Sequence, residues 1–278
     1  MPELPEVDAA RRLAAGVALG RRIAGVACAA DPIVFADPPA AVHRALLGRR
    51  VTAIRRHGKH LWFELDRRPW LGMHFGMAGG LQTPQSAGVK LVSHGKGERA
   101  RGWPPRFTKL HLTFADGGEL VLADGRRLGR VRLYRDPRNE PPIGLLGLDA
   151  LLGLPTPARF AALLAERGAP IKALLLDQTF AAGVGNWIAD EVLYQSRIAP
   201  ARRARSLSRR EADRLRLAIK GVVGLAVKVH SDSDRYPRTW LFHHRWGRNA
   251  AAVTARGERI RHDTIGGRTT AWVPSVQR

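Results

Sequence analysis

The chain has little cysteine and no long apolar segment. Its 278 residues include one cysteine, Cys28, which excludes an intramolecular disulfide and a cysteine-rich zinc site. No apolar run approaches the ~20 residues that a membrane-spanning helix needs, and the N-terminus lacks the basic and then apolar segments of a secretion signal. These absences predict a soluble, cytoplasmic protein.

Acidic residues are also scarce. Lys and Arg number 46 against 24 Asp and Glu, which gives a formal net charge of +22. A folded protein with such a positive field is expected to bind a polyanion, and nucleic acid is the first candidate. A ribosomal or membrane-surface protein would carry a similar charge. The length and the apolar content of 45% predict a globular protein with two domains.

The first six residues combine a potential nucleophile with acids. If the initiator methionine is removed, Pro2 supplies a secondary α-amine, and an α-amine titrates near pH ~7.7–8.0, well below a lysine. A neutral amine attacks sugar or carbonyl carbons to form Schiff bases, and Glu3 and Glu6 are suited to the accompanying proton transfers. The alternative is that Pro2 and Pro5 only shape the start of a helix.

Apolar periodicity changes along the chain. It predicts a helix over 5–19, a strand over 22–29 and a mainly β region over 51–134, which includes a strand over 107–114. Asp116-Gly117-Gly118 predicts a hairpin turn. Many short strands separated by turns favour a β-sandwich or a barrel-like domain.

Composition predicts the domain boundaries. The stretch 85–106 is basic and contains several Gly and Pro, which predicts a long exposed loop. Pro and Gly over 136–147 predict a linker between a β-rich domain, 1–135, and a helical domain, 148–238. The remainder, 239–278, contains short β-prone pieces.

Two shorter signals concern helix starts. Asp37-Pro38 predicts an N-cap and the first residue of a short helix, and Ser208 with Glu211 predicts a capping box before a long helix. Asn186 follows two glycines and predicts an N-cap whose neighbouring free amides would bind phosphate. An ordinary helical hairpin with glycines in its turn is the alternative.

Several segments together resemble the Fpg/Nei family of DNA glycosylases, which is named after formamidopyrimidine-DNA glycosylase. These segments are MPELPEV at the terminus, Lys59, His74–Met77, Asp124–Leu128 and GVGNWIADE over 183–191. The similarity runs in order along the whole chain, and the terminal Pro-Glu pair combined with the glycine-asparagine turn is its most specific part. The resemblance implies a two-domain α+β fold. Its parts are an N-terminal β-sandwich with a terminal helix, a helical domain with a helix–two-turn–helix motif, and a finger hairpin.

The resemblance also implies a chemistry. In a bifunctional glycosylase and AP lyase of base excision repair, Pro2 would attack C1′ of the damaged nucleotide and Glu3 would donate a proton, with Glu6 supporting that geometry. Lys59 would contact phosphate and assist β-elimination; an ordinary surface lysine is the alternative. His74 would lie near a phosphate, unless it is simply a buried, hydrogen-bonded histidine. Cleavage would proceed by β,δ-elimination.

The resemblance also implies further DNA-binding residues. Met77, Arg126 and Leu128 match the side chains that fill the hole left by an extruded nucleotide, which such an enzyme requires. Core packing is the alternative for Met77. Leu128 departs from the family's usual Phe, which puts lesion searching and opposite-base preference in question. Asn186 would bind a phosphate beside the lesion.

The C-terminal segment departs from most bacterial members, whose finger holds zinc through four cysteines. Residues 240–278 contain no cysteine, so that site cannot form. Gly266–Pro274 instead resembles the plant and fungal members, whose finger keeps its shape without zinc, and Arg268 would then grip phosphates and assist δ-elimination. The histidines here lack suitably spaced partners, so we expect neither a metal nor another cofactor.

The resemblance indicates a monomer that binds double-stranded DNA containing oxidised purines or abasic sites, without a membrane partner, at the bacterial nucleoid. The short stretch 229–238, where longer members cap 8-oxoguanine, favours formamidopyrimidines, further-oxidised guanine and abasic sites as substrates and disfavours 8-oxoguanine. A non-catalytic nucleic-acid-binding protein on the same scaffold is the main alternative. A metal-dependent nuclease is a third, although no clustered carboxylates favour it.

Overall fold

A computed structural model describes residues 1–88, 102–247 and 251–278, so most of the loop predicted over 85–106 lies outside the described residues. The chain divides into two compact units, Met1–Leu145 and Leu146–Arg278. None of the helices in the described segments combines the length and apolar character that a bilayer crossing needs.

The first unit is a β-sandwich of two antiparallel four-stranded sheets. One sheet has the order β1-β6-β7-β5 and the other β2-β3-β4-β8. Their strands are β1 Ile23–Cys28, β2 Val51–His57, β3 His60–Leu65, β4 Trp70–His74, β5 Gly80–Gln82, β6 Thr108–Phe114, β7 Glu119–Ala123 and β8 Arg130–Tyr134. The alternating apolar side chains of both sheets face a shared core, as the pattern predicted.

Two helices complete this unit. Helix α1, Leu4–Ala18, buries Val7, Ala10 and Ala14 against strands of both sheets, so the start of the chain is fixed to the sandwich core. Helix α2, Pro39–Leu46, is capped at Pro38, one residue later than predicted. The Asp37 carboxylate accepts the Leu133 N–H instead of capping the helix.

The second unit is mainly helical. Its helices are α3 Pro157–Ala165, α4 Ile171–Leu176, α5 Asn186–Ser196 and α6 Arg209–Lys228. The predicted capping box of Ser208 and Glu211 starts α6, whose apolar face is buried. Two short strands, β9 Leu148–Asp149 and β10 Ala181–Ala182, pair in parallel, and β10 lies in the connection between α4 and α5.

A hairpin closes the second unit. Strands β11, Arg261–Ile265, and β12, Arg268–Trp272, pair antiparallel across Gly266-Gly267. Both glycines have positive φ, 61° and 70°, which a tight hairpin turn requires. Ala271 and Val273 pack with Tyr194 and Leu241 in a small apolar cluster, so the hairpin is attached to the helical body.

Candidate active site and nucleic-acid interface

The start of α1 holds both predicted acids in place. Glu3 is the N-cap residue and Glu6 is the third helical residue, and the two form a reciprocal capping box. The Glu6 carboxylate accepts the Glu3 N–H at 2.9 Å. Glu3 is 2% exposed and Pro2 is also buried. The helix end therefore fixes two carboxylates beside the residue that would carry the amine.

The α-amine at the chain start is surrounded by four charged residues. Burial lowers the pKa of the Met1 amine from its ordinary value of 8.0, and Lys59 and Arg126 lower it further. Glu3 and Glu6 act in the opposite direction because a carboxylate favours the charged amine. The fold thus brings two residues that are distant in sequence, Lys59 and Arg126, within electrostatic range of the terminus, in addition to the nearby Glu3 and Glu6.

Lys59 and His74 lie near one another on one sheet. Lys59, 7% exposed, occupies the tight turn between β2 and β3. His74 ends β4 and pairs with His60, the rings being 4.7 Å apart. Burial, together with Lys59 and Arg130, lowers the pKa of His74 to about 4. The imidazole is therefore neutral at physiological pH.

The tautomer of His74 follows from one hydrogen bond. Its Nδ1 accepts the Gly76 N–H at 3.2 Å, so the ring proton resides on Nε2. A neutral imidazole with that proton can donate a single hydrogen bond to a phosphate oxygen without adding charge. The histidine is half-buried and hydrogen-bonded, so both sequence-based interpretations describe part of its environment.

The three residues predicted to fill the DNA stack are accessible. Met77 is half-exposed, which disfavours the core-packing alternative, and Leu128 is 41% exposed. Arg126 is exposed on the turn between β7 and β8. The buried Asp124 carboxylate accepts three backbone N–H groups of that turn, from Arg126, Arg127 and Gly129.

Two further contacts fix this turn. The Arg127 guanidinium donates two hydrogen bonds to the buried Asp31 carboxylate, at 2.9 and 3.0 Å. Arg127 and Lys109 hold the pKa of Asp31 well below its usual range. Gly76, with φ 59°, packs on the backbone of Leu128 so closely that a Cβ would lie 2.3 Å from the Leu128 carbonyl. The turns that carry Met77 and Leu128 therefore abut.

A pocket of about 230 Å³ opens beside Pro2 and Glu6. Its wall combines residues of the β4–β5 connection with residues at the start of β6 and the end of β7. The lining includes Phe75, Gly79, Leu81, Arg106, Phe107 and Gly125. The strand predicted to start at Phe107 starts one residue later, at Thr108, and Phe107 has a positive φ of 65°. Sequence periodicity did not predict this exposed position.

The second unit brings together Asn186 and the finger strand that carries Arg268. Gly185, and not Asn186 as predicted, is the N-cap of α5, and Asn186 is the first helical residue. Its Nδ2 donates to the Thr269 carbonyl at 2.9 Å, and in the described part of the chain its buried Oδ1 accepts no hydrogen bond. Arg268 is exposed at the first position of β12.

A buried ionic cluster, which sequence reasoning missed, joins α4, α5 and β12. We call Lys172, Asp190 and Arg245 the Asp190 cluster; their side chains are at most 6% exposed. Asp190 Oδ1 pairs with Lys172 Nζ, and Oδ2 accepts from Arg245 Nη2 at 2.6 Å and from the Ala271 N–H at 3.1 Å. Lys172 also donates to the Asn186 carbonyl. The cluster thus links Asn186, at the start of α5, to β12, the strand that carries Arg268.

Two family models match the chain. The model described as the formamidopyrimidine-DNA glycosylase N-terminal domain matches residues 1–131, and the one described as the formamidopyrimidine-DNA glycosylase H2TH domain matches residues 146–237. An Arabidopsis thaliana protein named formamidopyrimidine-DNA glycosylase is 42% identical over 279 residues. That alignment covers the whole of this chain and 71% of the Arabidopsis protein.

Solved structures agree with these matches. The Lactococcus lactis formamidopyrimidine-DNA glycosylase, bound non-covalently to DNA containing an AP site, has a TM-score of 0.79 with 25% sequence identity over 99% of both chains. A mutant of the L. lactis protein in complex with DNA containing Fapy-dG has a TM-score of 0.81 with 26% identity over the full length of both chains.

Proposed function

The chain belongs to the formamidopyrimidine-DNA glycosylase family, and from this premise we propose that it excises oxidised purines from duplex DNA and then cleaves the abasic strand. The observation that carries the proposal is the position of Pro2, which is buried at the start of α1 beside Glu3 and Glu6 and lines an open pocket; Lys59 and Arg126 lie within electrostatic range of the preceding Met1 amine. Such a setting lowers the amine pKa and supplies groups for proton transfer and phosphate binding.

The first step joins Pro2 to the sugar. After Met1 is removed, the lone pair of the Pro2 nitrogen attacks C1′ and the bond between C1′ and the damaged base breaks, the base leaving with its electron pair and gaining a proton. The amine proton is lost, Glu3 protonates the sugar ring oxygen, and the ring opens to an iminium between the nitrogen and C1′. Glu6, bonded to the Glu3 N–H, keeps this end of the helix in position.

Elimination follows from the iminium. Because the positive nitrogen withdraws electrons, a C2′ proton is lost and the C3′–oxygen bond breaks, which releases the 3′ phosphate. Loss of a C4′ proton then breaks the C5′–oxygen bond in the same way, and addition of water to C1′ of the iminium releases the sugar fragment as an aldehyde and frees the Pro2 amine. These steps balance without a redox or metal co-reactant. Lys59 and Arg268 stabilise the departing phosphates.

Phosphate contacts and stack filling complete the proposal. His74 donates from Nε2 as a neutral ring, and Asn186 faces a phosphate from the start of α5. Met77, Arg126 and Leu128 enter the space of the extruded nucleotide, Arg126 facing the orphaned base. Leu128 fills space without the stacking surface of an aromatic ring, so opposite-base preference depends more on Arg126.

The proposed lesion range rests on the segment after α6. In the described structure, residues 229–238 contain one short 3-10 helix, Ser233–Arg235. So short a connection offers little chain for a cap over a base in the site. We therefore expect formamidopyrimidines, further-oxidised guanine and abasic sites as substrates, in DNA at the bacterial nucleoid, and weaker excision of 8-oxoguanine.

Borohydride trapping on a duplex with one abasic site tests the proposal. Borohydride reduces the iminium to a stable amine, so the native protein should become covalently linked to the DNA. A variant with one glycine inserted between Met1 and Pro2 keeps every side chain but moves the secondary amine inside a peptide bond. We expect that variant to bind the duplex, to form no adduct and to leave the strand intact.

The same experiment distinguishes the alternatives. A non-catalytic nucleic-acid-binding protein would retain the duplex and give no adduct with either form. A metal-dependent nuclease would cleave with both forms and lose activity in EDTA. Equal cleavage by the native and the inserted protein would refute the assignment of Pro2 as nucleophile.

A further inference from the structure

Phe107 has an unusual backbone and an unusual exposure. Its φ of 65° lies in the left-handed region, which costs roughly 1 kcal/mol or more for a residue that is not glycine. In the part of the chain that the structure describes, 51% of Phe107 is exposed. The left-handed backbone and the exposed apolar ring each lower the stability of the fold. This combination indicates that Phe107 has a role other than folding.

The ring is nevertheless held in a defined place. The Phe107 carbonyl accepts the Asp124 N–H at 3.1 Å, which fixes the backbone to the turn between β7 and β8. A Cβ at Gly125 would lie 3.1 Å from Cδ2 of the ring, so only a glycine lets the ring rest there without displacement. On this turn, the neighbouring Arg126 is the residue proposed to face the orphaned base.

A guanidinium covers the ring. The Arg106 Cζ lies 4.6 Å above the ring centroid, a cation–π distance, and Arg106 is exposed. Arg106 and Phe107 also line the pocket of about 230 Å³ that contains Pro2 and Glu6. This volume greatly exceeds the ~30 Å³ that one water molecule occupies in the liquid. Planar groups at the wall of a pocket suit a planar ligand.

We propose that Arg106 and Phe107 form a stacking wall for the extruded base, which enters the Pro2 pocket before its glycosidic bond breaks. The inference rests on the proposed function and adds two residues that contact the base and favour a purine-sized ring. Extruded bases are commonly read by stacking on aromatic or apolar side chains, and guanidinium planes stack on bases in the same way. Gly125, which packs against the Phe107 ring, belongs to the turn between β7 and β8 that carries Arg126 and Leu128.

The test uses two substrates that differ only in the base. Phe107→Ala is compared with the native protein under single turnover, on one duplex with a formamidopyrimidine and on the same duplex with a preformed abasic site. An abasic site has no base to stack. We therefore expect base excision to fall about ten- to a hundredfold, from the usual worth of base–aromatic stacking, while abasic cleavage stays within about twofold.

Companion variants separate stacking from folding. Phe107→Tyr retains the ring and should keep excision within about threefold of native. Phe107→Gly removes the ring but relieves the backbone strain, so it should lose excision as Phe107→Ala does without losing thermal stability. Leu19→Ala removes a side chain that is equally exposed, at 51%, in the same unit, and should match the native protein on both substrates.

Two outcomes would contradict the proposal that Arg106 and Phe107 stack on the extruded base. Unchanged excision by Phe107→Ala and Phe107→Gly would show that the ring does not contact the base. Equal losses on the lesion and abasic duplexes would show that the ring acts on DNA binding or folding in general. The proposed function is tested by a different measurement, borohydride trapping of the native protein. Absence of an adduct there would contradict the proposed function, whatever the Phe107 variants show.

Discussion

The two units hold their candidate site residues by different physical means. In the first unit the residues lie on a helix start and on turns of a sandwich, where nearby carboxylates accept backbone N–H groups: Glu6 bonds the Glu3 N–H, and Asp124 bonds three N–H groups within five residues. The long-range pair of Arg127 with Asp31 adds to these contacts, but the Arg127 side chain is 47% exposed. In the second unit the Asp190 cluster joins groups 18, 55 and 81 residues apart.

This difference has energetic consequences. A carboxylate that accepts backbone N–H groups at a turn fixes the local conformation. Because its partners are neutral, removing the carboxylate leaves no unpaired buried cation. A buried ionic cluster has a high desolvation cost that is offset only while every partner is present. We therefore expect the second unit to respond more strongly to a single lost side chain, and the first to respond more locally.

The largest expected effect comes from Asp190→Ala. Lys172, fully buried, and Arg245 would keep their charges without the carboxylate, and breaking a buried pair typically costs about 3–5 kcal/mol. We expect a loss of this size in the free energy of unfolding of the second unit, measured by urea denaturation. Faster hydrogen exchange in β11 and β12 should accompany it.

Asp213→Ala is the matched control for this prediction. Asp213 pairs with Arg216 on α6, but its side chain is 38% exposed, so its removal should change stability by less than about 1 kcal/mol. Similar losses in the two variants would contradict the central role of the Asp190 cluster.

Asp124→Ala should have a smaller and more local effect. Three backbone N–H groups lose their acceptor, and because the turn is exposed, water replaces part of the loss; we expect about 2 kcal/mol. Binding to an abasic duplex should weaken because Arg126 and Leu128 are no longer fixed. Asp116→Ala, at an exposed hairpin turn of the same unit, should leave binding unchanged. Unchanged binding by Asp124→Ala would show that the turn does not depend on this carboxylate.

The smallest expected effect concerns pH. Burial raises the pKa of Glu191 on α5 to about 7, against 4.5 for an ordinary glutamate. Between these values the folded state keeps a proton that the unfolded state has lost, so the free energy of unfolding falls as pH rises from about 4.5 to 7. Glu191→Gln should remove this slope, because a neutral amide neither gains nor loses a proton in this pH range.

Urea denaturation at several pH values measures that slope. Glu166→Gln, an exposed glutamate at the end of α3, should keep the native profile. In the first unit the buried Asp31 behaves oppositely, because Arg127 and Lys109 lower its pKa. If Glu191→Gln kept the native dependence of the free energy of unfolding on pH, Glu191 would not be its source, and the contrast with Asp31 would not hold.

Sequence reasoning succeeded where structure depends on neighbours in the chain. The sandwich strands, the hairpin turn at 116–118 and the capping box of α6 are all encoded within a few residues, and the structure confirms them. The family match supports the same two-domain α+β fold. The roles of Pro2, Lys59 and Arg268 came from resemblance and stay proposals.

Other features could not be predicted because they depend on the folded surroundings. Asn186 has the composition of an N-cap, but its amide bonds the Thr269 carbonyl in the finger, and Gly185 takes the cap position. Phe107 fits the alternating pattern of β6, yet its contact with Gly125 is set by the pairing of two strands. A buried lysine such as Lys172 gives no signal in sequence until its partner is known.

The close contact between Gly76 and the Leu128 backbone bears on how this surface can change. No side chain fits at residue 76, so the two turns behave as one stiff piece, and any shift of one is passed to the other. Met77 and Leu128, which project from this piece, are accessible, so a different side chain at either position would not repack a core. Under the roles proposed above, altering these side chains would change the preference for the base opposite a lesion while the scaffold beneath them stays fixed.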